Sequence, residues 1–177
     1  MRCVFVMFQG LWADSPLLYG AARAEVGLGR VLGQQGWEVL RIGLAAGASG
    51  TCLGFPFRGA ANEEDLRALL GRMEMDLMVA NSRADVFRTG RARRMVIYQH
   101  EGGVLPRGNV PACVLNLAHI PIVCVSEFCR QTLLAGGIAP ELLHVIRNGC
   151  DTHLFRIPDG SERPRHSMVF VGSLVYV

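Results

Sequence analysis

The chain has 177 residues, half of them hydrophobic, with 18 basic and 15 acidic side chains and a net charge of +3. That length supports one domain with a sizeable core, and so small a charge gives no argument for a nucleic-acid partner. No stretch approaches the roughly 18 uninterrupted apolar residues of a membrane span; the most apolar region, 110–125, is broken by Asn116, His119 and two prolines.

The opening Met1-Arg2-Cys3-Val4-Phe5-Val6 is too short for the apolar core of a signal peptide, and Gln9 and Asp14 follow early, so a cytoplasmic location is expected. All the basic residues are arginine, which fits coding bias in a GC-rich genome. Cys3, Cys52, Cys113, Cys124, Cys129 and Cys150 form no C-x-x-C pair. They are expected to be small buried hydrophobes in a reducing compartment, not disulfides or zinc ligands.

Residues 2–8 form a short valine- and phenylalanine-rich run that predicts a buried strand. A loop with Gly10, Asp14, Pro16 and Gly20 follows. Residues 21–35 have helical period, with Ala21, Ala24, Leu28 and Leu32 on one face and Arg23, Arg30 and Gln34 on the other. Gly36 ends that helix as a left-handed cap. A second strand is predicted at 37–42, then a mobile loop rich in glycine and alanine at 43–61. Asn62 caps the next helix, with Glu63, Glu64 and Asp65 favourably placed in its first turn and Leu66, Leu69, Leu70 and Met73 facing inward.

Further strands are predicted at 76–80, 94–99 and 121–125. Ser126 then caps a helix that carries Glu127 in its first turn, turns Cys129 and Leu133 inward and stops at Gly136-Gly137. A sixth strand is predicted at 144–147. The alternation predicts an α/β fold, a doubly wound parallel sheet covered by helices on both faces. Residues 1–157 are read as one domain, 158–166 as a polar linker with two prolines, and 167–177 as the opening strand of a second domain.

In such sheets ligands bind beyond the carboxyl ends of the strands, which directs attention to the loops there. Gly20 ends the loop that opens the first helix at Ala21, where a glycine allows close approach of a ligand and the helix N-terminus favours an anion. His100 directly follows the fourth strand and can donate to a bound sugar or phosphate. Glu101 can accept from sugar hydroxyls, and Gly102-Gly103 would let the loop close over a ligand. Ser126, besides capping, sits where free backbone N–H groups face the cleft. Asn148-Gly149 signals a tight turn after the sixth strand.

Arg83, Arg88, Arg91, Arg93 and Arg94 fall within twelve residues. They fit either a solvated face or a site for anionic lipid or a phosphorylated acceptor. The run from Gly27 to Gly33 imitates a dinucleotide fingerprint, but its last glycine is one residue late and it lies inside the helix, so NAD binding is rejected. There is no Gly-x-Ser-x-Gly elbow, Walker loop, Asp-x-Asp motif or His/Cys metal spacing.

In order, these segments resemble one family. Val123-Cys-Val-Ser-Glu-Phe-Cys-Arg-Gln-Thr-Leu133, then Gly137-Ile138, His144-Val-Ile-Arg-Asn-Gly-Cys-Asp151 and Leu154-Phe155 are similar to the family 4 glycosyltransferases, which have the GT-B fold. That family writes the stretch as a strand, Val-Ser-Glu, a helix, a strand, Pro-Asn-Gly-Val-Asp and Phe. Tyr19-Gly20-Ala21-Ala22, Gly36-Trp37-Glu38-Val39, His100 and Val169-Phe-Val-Gly172-Ser173-Leu174 match further landmarks. Tyr19, Arg147, Cys150 and Ser173 depart from the family pattern.

The resemblance implies a Rossmann-like N-terminal half of a GT-B enzyme, cut off after the first strand of its donor-binding domain and inactive alone. A nucleotide-diphosphate sugar would serve as donor, with no further cofactor and no metal. The sugar would pass with retention to a glycan, lipid or small-molecule acceptor. His100 would be the catalytic residue near the transferred sugar. Gly20, Ser126, Asn148, Gly149 and Asp151 would serve the donor, and Glu101, Gly102 and Gly103 the acceptor. The arginine cluster would allow peripheral contact with the inner face of a membrane. The competing reading is a stand-alone, non-catalytic α/β domain that binds an acceptor, a lipid head group or a protein partner.

Overall fold

A computed structural model describes residues 1–7, 20–45, 47–52, 54–100 and 110–149. The chain begins with strand β1 (Arg2–Met7). Cys3 and Phe5 are buried with one set of residues and Val4 and Val6 with another, the period-two alternation of a strand covered on both faces.

Helix α1 (Gly20–Gln34) follows and ends at Gly36, whose φ of +80° makes it the expected left-handed cap. Its buried face matches the expected one in part, since Ala24 and Leu32 pack against the core. Glu25 and Val26 are buried while Leu28 is 39% exposed. A carboxylate therefore lies on that face.

Strand β2 (Glu38–Leu44) pairs parallel with β1. The expected mobile loop at 43–61 is instead mostly sheet. It holds β3 (Ser49–Cys52) and β4 (Phe55–Ala60), an antiparallel hairpin whose second strand runs parallel to β2. The glycines there serve close approach. A Cβ on Gly59 would meet the Ala45 Cβ at 2.6 Å and the Ala48 carbonyl oxygen at 2.7 Å. Gly54 supplies the positive φ of the hairpin turn.

Helix α2 (Glu63–Gly71) starts as expected, with Asn62 Oδ1 accepting from the Asp65 N–H at 2.9 Å. Its Leu66 and Leu70 are fully buried against Val4, Val6, Leu40 and Ile42. Strands β5 (Glu74–Asn81) and β6 (Arg91–Gln99) continue the sheet. Between β6 and β7 (Ile122–Cys124) lies α3 (Ala112–Leu117), a helix the apolar composition of that region had concealed. Helix α4 (Glu127–Ala135) and β8 (Leu143–Val145) complete the described chain. Cys129 and Leu133 of α4 pack with Ile97, Leu115, Ile122 and Cys124 in a further core cluster.

The sheet order is β3-β4-β2-β1-β5-β6-β7-β8, and every neighbouring pair but β3–β4 is parallel. Counted without β3, the parallel strands run 3-2-1-4-5-6-7 in chain order, the doubly wound Rossmann-like arrangement. Cys3, Cys124 and Cys129 are buried as expected, whereas Cys113 is exposed. No helix among the described residues is long and apolar enough to cross a membrane.

Candidate functional site

The strand order reverses between β1 and β5, so the crevice that such sheets offer to ligands opens beyond the carboxyl ends of these strands. Ser82 follows β5 there with φ of +51°, a left-handed conformation that costs a non-glycine residue about 1 kcal/mol or more. Two hydrogen bonds hold it. Its N–H donates to the Tyr98 carbonyl at 3.0 Å, and its Oγ accepts from the His100 N–H at 3.4 Å. The end of β5 is thereby clipped to the end of β6.

Tyr98 is the hinge of the cluster. Its hydroxyl donates to Asn148 Oδ1 at 2.7 Å. Its ring lies 4.2 Å from the His100 ring, centre to centre, at an interplanar angle of 57°. One residue of β6 thus touches the histidine that follows its own strand and the asparagine that follows β8.

A buried charged group lies beneath. Glu25 of α1 sits 3.7 Å from Arg41 Nη2 of β2, with side-chain exposures of 0% and 2%. The Glu25 carboxylate also accepts from Asn81 Nδ2 at 2.8 Å. Burial pushes the Glu25 carboxyl up to about 7, although Asn81 and Arg41 favour its charged form. The Tyr98 phenol is raised too, first by burial and then by the charge on Glu25. The start of α1 and strands β2, β5 and β6 therefore share one polar core just below the crevice.

The residues nominated from sequence fare differently. His100 and Asn148 are brought together through Tyr98, with Gly149 beside Asn148. Among the described residues, a Cβ on Gly149 would meet nothing within 4 Å. Ser126 acts as the N-cap of α4, its Oγ accepting from the Cys129 N–H at 3.1 Å. Gly20 is the first residue of α1. The loop 9–19, Glu101, Gly102, Gly103, Cys150, Asp151, the linker 158–166 and the segment 167–177 lie outside the described residues.

The five clustered arginines do not form one surface. Arg83, just past β5, pairs with Asp85 at 2.7 Å and Glu63 at 3.4 Å. Burial alone would raise the Asp85 carboxyl, but hydrogen bonds from Arg83 and Arg67 outweigh it and hold it below its ordinary value. Arg91, Arg93 and Arg94 lie in the first half of β6, toward the opposite edge of the sheet. Open hollows of about 460 and 590 Å³ at that amino edge are lined by Arg2, Glu38 and Glu74 among others. They lie away from the strand ends where the doubly wound topology places ligands.

Sequence reasoning missed Glu25, Arg41, Asn81, Ser82 and Tyr98. A usable signal existed for the first two. A carboxylate within an apolar helical stripe, and an arginine within Val39-Leu40-Arg41-Ile42, each call for a buried partner. Among the described residues, no group of three or more histidine, cysteine or acidic side chains is placed to hold a metal ion.

No protein-family model matches the chain, and no curated protein matches it in sequence. Solved structures do match in fold. HepE of Anabaena in complex with UDP and glucose superposes with a TM-score of 0.60 at 17% identity, over 90% of this chain and 47% of that one. HepE in complex with UDP-glucose gives 0.59 at 16% identity with the same coverage. The chain therefore spans about half the length of HepE and shares the mixed α/β, Rossmann-like architecture of that portion.

Proposed function

We propose that this chain is one domain of a GT-B glycosyltransferase that resembles family 4, and that its carboxyl edge forms one wall of a site for a nucleotide-diphosphate sugar. The observation that carries the reading is the cluster of His100, Tyr98 and Asn148 beside the topological switch point of a sheet shared with HepE, a protein solved with UDP-glucose. His100 then lies next to the transferred sugar. The α1 N-terminus at Gly20 and the α4 N-terminus at Ser126 offer backbone N–H groups to the diphosphate. The sugar passes with retention to a glycan, lipid or small-molecule acceptor held mainly by this domain, in the cytoplasm or at the inner face of a membrane.

The chemistry asked of these residues is modest. Departure of the nucleoside diphosphate builds negative charge on its oxygens, and donors already fixed in place stabilise that charge without reorganising. The test is ligand-observed saturation-transfer NMR on the purified chain at millimolar UDP-glucose, UDP and NAD. Saturation of UDP-glucose and UDP but not NAD is expected. Saturation of NAD alone would replace this reading with a dinucleotide-binding one, and saturation of none would leave the chain without a nucleotide site.

A further inference from the structure

We infer that Tyr98 is a positioning residue, holding His100 and Asn148 in one constellation and turning the Asn148 amide so that its Nδ2 donates to an oxygen of the bound nucleotide sugar. This inference rests on the nucleotide-sugar reading above. Tyr98 is 8% exposed, and a buried phenol takes a hydrogen-bond partner. Its partner, Asn148, is exposed and lies past the end of β8. Without a tie the Asn148 side chain would rotate freely in water and gain nothing from the strand that delivers it.

The tie also selects which end of the amide is presented. The Tyr98 hydroxyl occupies Oδ1, which leaves the two N–H hydrogens of Nδ2 for an acceptor. A nucleoside diphosphate sugar offers acceptors throughout, in its phosphate, ribose and sugar oxygens. Burial, and next the charge on Glu25, hold the phenol above its ordinary value, so it keeps the proton that it donates to Oδ1. The same ring packs against His100 at 4.2 Å. One side chain therefore sets the orientation of two residues that arrive from different strands.

The test is a UDP-glucose titration, followed by NMR, of the whole chain and of Tyr98→Phe, Asn148→Ala and the double variant. Tyr98→Phe keeps the ring against His100 and removes the hydroxyl. In its ligand-free spectrum the Asn148 side-chain amide signals are expected to move while the His100 ring signals hold. Each single variant is expected to bind UDP-glucose about five- to tenfold more weakly, the loss of one oriented hydrogen bond. The double variant should bind no more weakly than either single one.

Full affinity in Tyr98→Phe, or losses that add in the double variant, would overturn the inference. Unmoved Asn148 signals in Tyr98→Phe would overturn the positioning role whatever the ligand does. A wild-type chain that binds no UDP-glucose would instead remove the nucleotide-sugar reading and the ligand half of the inference with it. Asn148→Ala, at an exposed position, carries the affinity test if Tyr98→Phe folds poorly.

Discussion

Glu25 is a carboxylate buried on the inner face of α1, and it makes the stability of this protein depend on pH in an unusual direction. Its carboxyl rises from an ordinary 4.5 to about 7 because burial disfavours the charge more than Arg41 and Asn81 favour it. Between those two values the folded chain holds a proton that the unfolded chain has released. Stability from this group is therefore full below about 4.5 and is lost as pH rises toward 7. At about 1.4 kcal/mol per pH unit, a shift of that size amounts to something of the order of 3 kcal/mol. Glu25→Gln is the informative perturbation, since a neutral amide of the same shape mimics the protonated acid and can still accept from Asn81. Urea unfolding of both proteins across pH 4.5 to 8 is the assay, and the difference between them removes the contribution of the other titrating groups. The wild type should lose its advantage over Glu25→Gln by about that amount as pH rises through the window. Parallel profiles would refute the argument, because they would mean that Glu25 ionises as it does in the unfolded chain.

Two glycines should respond to alanine in opposite ways. Gly59→Ala drives a methyl group into the Ala45 Cβ and the Ala48 carbonyl oxygen, and should cost about 1–3 kcal/mol by urea unfolding. Gly27→Ala, within α1 and with nothing among the described residues inside 4 Å of the new Cβ, should stabilise by about 0.5–1 kcal/mol; a loss there would mean that the added methyl group meets a neighbour. Ser126→Ala removes the bond to the Cys129 N–H and should cost about 1 kcal/mol, with Ser126→Asp restoring most of it; equal losses in both would show that the hydroxyl is not acting as a cap.

Much of the fold was legible because its signals are local. The alternation in β1, the Asn62 and Ser126 caps and the Gly36 stop each declare themselves within a few residues. The hairpin of β3 and β4 did not, because its glycines and Pro56 read as a loop when they in fact serve close packing and an exposed strand position. Helix α1 was placed correctly in the chain but its inner face was only partly right, since a period count favours Leu28 over Glu25 and it takes Asn81 on β5 and Arg41 on β2 to make the buried carboxylate tolerable.

The site divides the same way. His100, Ser126 and Asn148 follow from strand ends, which a sequence reveals. Tyr98 does not, because its role comes from the β6–β7–β8 register that carries Asn148 to its hydroxyl. Ser82 was equally hidden, as a positive φ on serine has no sequence mark.

The most direct measurement of the central claim is to map UDP-glucose onto the chain by the backbone amide shifts of an isotope-labelled sample. The largest changes are expected on the carboxyl edge, at Asn81, Ser82, His100, Ser126, Asn148 and Gly149, with Arg2, Glu38 and Glu74 at the amino edge unmoved. Shifts centred on the amino-edge hollows, or no shifts at all, would contradict it.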